Sequence, residues 1–318
     1  MVTERGIRYY PIGLFASVMG FAGVTMAIKH LESLYDVSHL LSNSFLILTT
    51  ILFLLNGSIF IYRLIRFRED IKQDFNHPVK MNFFAAISIS LLLLSVPYIA
   101  LNEFISFFLW GIGTVLQLLL TLAILSKLIW THSFQITQFN PSWFIPIVGN
   151  IVVPLAGTTH AVDDINWFFF GTGILFSIIY TTIFFIRIFF HPPLQEKLFP
   201  TFFILMAPPA IGLVSYMKIV GHLDNFAYML YSIAFFIGLV LIFQLKKIIS
   251  IPFFVSWWAF LFPSAAMTIA TIQMFVETEI LFYKWFFHLQ TTGLIVLAIY
   301  LSFKTIELAT KRSLCIKE

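Results

Sequence analysis

The sequence is poor in the residues that water-soluble proteins place on their surfaces. Only 11% of its 318 residues are charged and 59% are hydrophobic, whereas a soluble domain has about a quarter of its residues charged. The single cysteine, Cys315, excludes an internal disulfide. These shortages exclude a cytosolic enzyme, a secreted disulfide-stabilised domain, a nucleic-acid-binding protein and a disordered regulator.

Motifs for catalysis and metal binding are also missing. The sequence has no G-x-S-x-G, Walker A or H-E-x-x-H motif and no Cys/His spacing typical of zinc sites. Paired histidines for a haem are absent from the apolar stretches. We therefore predict that the protein is not an enzyme and that it needs no metal or cofactor.

What the sequence does contain is long apolar runs, rich in its 39 phenylalanines. Ten stretches are long and apolar enough to cross a bilayer as helices. They cover residues 11–31, 40–63, 79–101, 104–130, 142–161, 165–190, 199–221, 225–247, 252–276 and 280–303. The fold class predicted is an all-α integral membrane protein.

The basic residues are distributed unevenly between the two sides of these spans. All but three of the 19 Lys and Arg residues fall on the side of the N-terminus, and the exceptions are Lys29, Lys218 and Lys284. By the positive-inside rule, both termini are predicted to be cytoplasmic. The basic inner side would attract cytosolic anions, but the same asymmetry occurs in membrane proteins of any function.

Prolines mark a five-fold repeat of helical hairpins. Prolines stand at the start of every odd-numbered span and often inside it, but inside no even-numbered span. A proline within a membrane helix frees a carbonyl, which must face protein or a water-filled cavity. We therefore predict one transmembrane domain, 1–318, in which odd helices form an inner pore ring and even helices lie outside. The hairpins are predicted at 11–67, 78–130, 141–190, 199–247 and 252–308. Ordinary kinks that only assist helix packing are the alternative.

The candidate pore carries no ionisable side chain at mid-depth. The central thirds of the spans lack Asp, Glu, Lys, Arg and His, which is unusual for a tightly ion-coupled transporter. Helix-breaking glycines and prolines, side chains with hydroxyl groups and one side-chain amide remain as candidates for kinking or lining the pore. They are Ser17, Gly20, Ser88, Ser90, Gly149, Asn150, Pro154, Pro208, Pro209, Ser215, Pro263, Ser264 and Thr268.

Five sequence patches, one per odd helix, resemble a known family. They are Phe15-Ala16-Ser17-Val18-Met19-Gly20, His77-Pro78-Val79-Lys80-Met81-Asn82-Phe83-Phe84, Pro146-Ile147-Val148-Gly149, Ala207-Pro208-Pro209 and Trp257-Trp258-Ala259-Phe260-Leu261-Phe262-Pro263. In this order, they are similar to the tellurite-resistance/dicarboxylate-transporter family, which includes the plant slow-type anion channels.

The resemblance implies a homotrimer in which each protomer has its own pore. It also implies that Phe262, before the proline of the ninth span, is the pore gate. One position departs from the pattern, because Ser88 stands where bacterial members of the family have a proline. The resemblance therefore does not determine whether the third helix is kinked at this position.

Two functions are compatible with these features. The first is a gated anion-selective channel for small inorganic or organic anions, in contact with membrane lipid. The alternative is a C4-dicarboxylate carrier for malate or succinate, or a tellurite-resistance exporter. A compact chain without targeting extensions is typical of a bacterial cytoplasmic (inner) membrane protein.

Overall fold

The computed structural model describes residues 6–131 and 134–316. Ten helices in it are long and apolar enough to cross a membrane, which confirms the predicted fold class. They are α1 (Ile12–Leu34), α2 (Leu40–Arg66), α3 (Lys80–Tyr98), α4 (Glu103–Trp130), α5 (Pro141–His160), α6 (Asp163–Phe190), α7 (Glu196–Val220), α8 (Asn225–Ile249), α9 (Val255–Thr278) and α10 (Leu281–Thr310). Arg5 and Lys317, two of the basic residues at the termini, lie outside the described residues.

The odd helices form a closed ring. Their packing order is α1–α3–α5–α7–α9 and back to α1, and each even helix packs against the odd helix before it. Each even helix also touches the odd helix that follows, so that α10 contacts α1 and completes the circle. The predicted quasi-five-fold arrangement of hairpins is therefore present.

Burial separates the two sets of helices. The apolar windows of the odd helices are 72–89% buried, whereas those of the even helices are 17–33% buried. Hydrophobic side chains that cannot face water must face protein or lipid. The odd helices therefore make the protein core, and the even helices carry the surface that fits a lipid environment.

The odd helices share a two-part construction that the sequence reading did not predict. Each begins with a 3-10 segment and continues as an α-helix, at residues Phe15, Ala85, Ile145, Ala207 and Leu261. Pro141 occupies the first position of its 3-10 segment and Pro200 lies inside another. Proline suits such starts because its missing N–H has no helical partner there.

We call the side that holds both termini the terminal side, and the opposite side the far side. On the far side the hairpin turns are short, and polar residues set the helix starts: Asn102 Oδ1 accepts from the Ile105 amide at 3.0 Å, and Asp224 Oδ1 accepts from the Ala227 amide at 3.0 Å. Such N-caps satisfy amides that would otherwise have no helical partner. On the terminal side, a short helix, Arg68–Asn76, connects α2 to α3.

Span ends differ from the predicted ones by a few residues, most clearly in α10. The prediction ended at residue 303, but the helix continues to Thr310. Lys304 and Lys311 pair with Glu307 at 2.8 and 2.6 Å on the same helix. These i,i+3 and i,i+4 pairs stabilise a polar extension, which a search for apolar stretches does not detect.

Candidate pore and gate

A narrow cavity lies inside the ring, where 3-10 segments give way to α-helix. It has about 20 Å³ available to water, which is room for about one molecule. Its lining comes from four odd helices: Ala16, Met19, Ile145, Val148, Ile204, Ala207, Trp258, Ala259, Phe262 and Pro263. The walls are apolar throughout, so the cavity offers an anion no side-chain charge.

Phe262 is part of this lining and is 5% exposed. It is the second residue of the α-helical part of α9, directly before Pro263. A proline is tolerated in this first turn, and the Ser264 hydroxyl donates to the Phe260 carbonyl at 2.9 Å. The turn therefore holds the Phe262 ring at the cavity wall.

Two glycines bring α1 close to α9 behind the Phe262 ring. A Cβ on Gly20 would lie 2.7 Å from Leu261 Cδ2, and one on Gly23 would lie 2.7 Å from the Cβ of Ala265. The same Cβ on Gly23 would lie 3.6 Å from Phe262 Cδ2. Gly20 therefore serves helix contact, and its neighbour Gly23 leaves space beside the Phe262 ring.

The backbone carbonyls near the kink at Pro154 accept hydrogen bonds from other groups of the protein. Helix α5 is interrupted between Val152 and Pro154. The Ser215 hydroxyl of α7 donates to the Ile151 carbonyl, and Trp110 Nε1 of α4 donates to the Val153 carbonyl at 3.1 Å. The Asn150 carbonyl, which Pro154 leaves without its usual amide, accepts from the Val153 amide at 3.3 Å. All three carbonyls therefore have partners within the protein, which favours the packing alternative for this proline.

A buried polar network joins α3, α4 and α5. Gln117 Oε1 accepts from the Ser88 hydroxyl at 2.7 Å, and Gln117 Nε2 donates to the Pro146 carbonyl at 2.6 Å. Asn150 Nδ2 donates to Thr121 Oγ1 at 3.0 Å and to the same carbonyl at 2.9 Å. Ser88 and Asn150 therefore turn toward α4, and Ser88, at the position where a family proline is expected, sits in a continuous α-helical segment.

The other candidate residues divide into hydroxyls and prolines. Four hydroxyls donate to a carbonyl three or four residues earlier in their own helix: Ser17 to Leu14, Ser90 to Ala86, Ser264 to Phe260 and Thr268 to Ser264. Pro208 and Pro209 lie in the first turn of the α-helical part of α7, and Gly149 packs against Gln117. Of all the candidates, Phe262 and Pro263 are the ones among the cavity-lining residues.

The sequence reading missed Gln117 and Thr121 because it sought functional residues on odd helices. A signal was present, since side chains with hydrogen-bonding groups recur on α4 every three or four positions, the spacing of one helix face. Ser106, Trp110, Thr114, Gln117 and Thr121 form that stripe, and all are buried. The stripe shows which face of an outer helix meets the ring.

Basic residues at the terminal-side ends of three even helices hold the connecting segments. Arg63 donates to the Arg8 and Tyr10 carbonyls and to Asp74, each at 2.8 Å. Lys127 donates to the Phe75 carbonyl at 2.7 Å, and Arg187 donates to the Pro192 carbonyl at 2.6 Å. These cations therefore also have a structural task besides their contribution to charge asymmetry.

Ionisable groups outside the spans follow their local surroundings. Burial raises the pKa of Tyr10 to about 12, and its hydroxyl donates to Asn56 Oδ1 at 2.8 Å. Hydrogen bonds from Tyr216 and the Ala227 amide hold the pKa of Asp224 below its usual value. Asp224 therefore stays ionised as the cap of α8 in mildly acidic solution.

The comparison with protein families decides the family of this ring of hairpins. Residues 9–306 match the family model SLAC1, described as voltage-dependent anion channel. The chain belongs to this family. The relatives described below are named as an anion channel, a tellurite resistance protein and a transporter, and the family supports transport of anions in general.

Relatives from plants, bacteria and archaea match at the same level of identity. The S-type anion channel SLAH3 of Arabidopsis thaliana is 26% identical over 83% of this chain and 43% of its own length. The tellurite resistance protein TehA homolog of Haemophilus influenzae is 26% identical over 81% of this chain and 79% of its own. An uncharacterized transporter of Methanocaldococcus jannaschii is 26% identical, covering 81% of this chain and 82% of its own. The chain thus spans less than half of the plant channel and most of the two microbial relatives.

Proposed function

We propose that the protein is a gated anion-selective channel whose pore runs through the ring of odd helices and is closed by Phe262. The observation that carries this proposal is the position of Phe262 in the wall of the apolar cavity inside the ring. A constriction this narrow and apolar excludes water, and an ion cannot cross it with its hydration shell. Rotation of the Phe262 side chain would widen this constriction without breaking a hydrogen bond.

The lining favours a channel over the carrier. A dicarboxylate carrier needs groups that pay for dehydrating two carboxylates, and a buried charge without a partner is costly. The residues around the cavity are apolar. Weak interactions with helix ends and with the charges at the two mouths then select anions.

The surroundings of the channel follow from the sequence and the family. We propose that the protein lies in a bacterial inner membrane with both termini in the cytoplasm, which the position of all but three of its basic residues supports. A homotrimer with one pore per protomer is supported by the family resemblance. The exposed apolar faces of the even helices are the surface for lipid or for neighbouring protomers.

Reconstitution in planar bilayers tests the gate. We expect Phe262→Ala to raise chloride and nitrate conductance at least ten-fold over wild type, with discrete unitary currents that do not depend on a proton gradient. Phe184→Ala is the matched control, because Phe184 is also buried (3% exposed) but lies on the outer helix α6. Its conductance should equal that of wild type.

Two results would contradict the proposal. Unchanged conductance in a folded Phe262→Ala protein would remove Phe262 from the gate. Saturable, proton-linked malate or succinate flux without unitary currents would identify the carrier instead.

A further inference from the structure

Two of the three basic residues on the far side lie on the inner ring. Lys29 is near the end of α1 and Lys218 near the end of α7, whereas Lys284 begins the outer helix α10. The rest of the far side is rich in acidic residues. Cationic side chains on this side are therefore concentrated at the ends of the helices that surround the cavity.

Helical register places this cluster above the cavity. Eleven residues make about three turns of α-helix, so residues separated by eleven share a face. His30 follows the cavity-lining Met19 by this interval, and Lys218 follows the cavity-lining Ala207. Both intervals lie entirely within α-helical segments. His30 and Lys218 therefore continue the cavity face to the far-side mouth.

Lys218 lies within electrostatic reach of a side chain on another ring helix. Lys218 and Lys29 both act electrostatically on the His30 ring. Helices α1 and α7 are two places apart in the ring order, separated by α9 on one side and by α3 and α5 on the other. An interaction between their side chains must cross the mouth. The cluster formed by Lys29, His30 and Lys218 is called the far-side mouth cluster below.

The lysines of this cluster keep donors available. Lys29 Nζ donates to the Pro97 carbonyl at 3.2 Å, which uses one of its three hydrogens. The Lys218 residue is exposed, and its ammonium group has no hydrogen-bond or ion-pair partner within residues 6–131 and 134–316. His30 Nδ1 donates to the Met26 carbonyl at 2.8 Å, which orients the ring.

The nearest acidic groups are committed elsewhere. Glu32 lies close enough to act on Lys29, but its carboxylate accepts from the Leu41 and Ser42 amides at 3.1 and 3.0 Å and caps α2. Asp224 accepts from Tyr216 and from the Ala227 amide. Both carboxylates thus serve as helix caps, and neither forms an ion pair with Lys29 or Lys218 among the described residues.

We infer that the far-side mouth cluster binds small anions, and that Lys218 is its main contact. The ligand class is a hydrated halide, an oxyanion such as nitrate, or a carboxylate, held by two ammonium groups without full dehydration. This inference rests on the proposed function in one respect only: the bound anion is the one that enters or leaves the pore. Exposed ammonium groups on the cavity face attract anions locally and most strongly at low salt, although the same side also carries acidic residues such as Glu277 and Glu279 at the end of α9.

Conductance and binding together test this site. In the Phe262→Ala background, we expect Lys218→Gln to lower chloride conductance at least two-fold at about 0.01 M salt and to change little at about 1 M, where screening is nearly complete. Lys284→Gln removes the same charge from the same side on an outer helix, and it should have a much smaller effect. Chloride-dependent thermal stabilisation of the purified protein, measured without any membrane, should be reduced in Lys218→Gln and Lys29→Gln and kept in Lys284→Gln.

The outcomes separate the site from the channel. Equal effects of the Lys218 and Lys284 substitutions would overturn the inference, because they would show a general surface charge. Chloride stabilisation that needs Lys218, in a protein without anion currents, would keep the site and reject the channel. Anion currents that are indifferent to Lys218 at low salt would keep the channel and reject the site.

Discussion

The side chain of Gln117 on α4 occupies the space that a Cβ on Gly149 of α5 would need. From there it bonds Ser88 of α3 and the Pro146 carbonyl. One amide of an outer helix therefore joins two neighbouring hairpins of the ring. The contact also explains why α5 has a glycine at this depth.

Gly149→Ala should destabilise the protein strongly. The added methyl group must displace Gln117 and leave buried polar groups without partners, at a cost of about 1–3 kcal/mol for each. Gly171→Ala on α6 is the matched control, because no atom lies within 4 Å of its added Cβ. That change should be neutral or stabilising by up to about 1 kcal/mol from helix propensity. Thermal unfolding in detergent measures both, and equal midpoints would contradict the prediction.

Arg63→Met should loosen the terminal side. Arg63 is 3% exposed and bonds two carbonyls of the N-terminal segment and Asp74. Its removal leaves Asp74 with only Lys80 among its described ion pairs. We expect a loss of about 3–5 kcal/mol in the free energy of unfolding. The exposed Arg66→Met on the same helix should cost less than about 1 kcal/mol. Limited proteolysis of the N-terminal segment gives an independent readout.

Asp224 should make stability depend on acid pH. Its pKa is lowered in the folded protein, first by the Tyr216 hydroxyl and then by the Ala227 amide. The stabilisation is therefore present above the unfolded value of 3.8 and is lost as the pH falls through the lower folded pKa. Asp224→Asn keeps an acceptor for the cap but cannot titrate. Unfolding curves from pH 6 downward should show the wild-type advantage shrinking below about pH 4.

The outcome for Asp224→Asn has its own control. Asp36→Asn changes an exposed carboxylate in another far-side turn, between α1 and α2. Its stability difference from wild type should stay small at every pH. An advantage of wild type over Asp224→Asn that grew with acidity would have the wrong sign for a lowered pKa.

The ring of odd helices could be predicted from the sequence because the positions of the prolines distinguish inner helices from outer ones. Pro141 and Pro200 lie in the opening 3-10 segments of inner helices, and a proline at such a place marks the N-terminal end of a span. Burial of odd and exposure of even helices follows once irregular backbone must be shielded from lipid. The family resemblance predicts Phe262 as the gate, and Phe262 is one of the residues that line the cavity.

The direction of individual side chains could not be predicted in the same way. Ser88 and Asn150 have the composition of pore-lining residues, yet both bond to groups at the α4 side. A hydroxyl or amide on a helix has several partners within reach, and the choice depends on Gln117, which lies in another hairpin. The sequence defines the type of a residue and its depth in the membrane, whereas the neighbouring helix determines the direction in which the side chain points.

The closure of the ring between α9 and α1 has a consequence for how the chain is assembled. The flank of α1 that carries Gly20 and Gly23 fits Leu261 and Ala265, which are synthesised more than two hundred residues later. Until then this flank has only lipid or transient partners, and an early hairpin cannot complete its own packing. Contacts between such distant segments form slowly. The central cavity therefore exists only after the fifth hairpin has inserted, and a ribosome that stalls before residue 261 leaves an open crescent of helices without a gate.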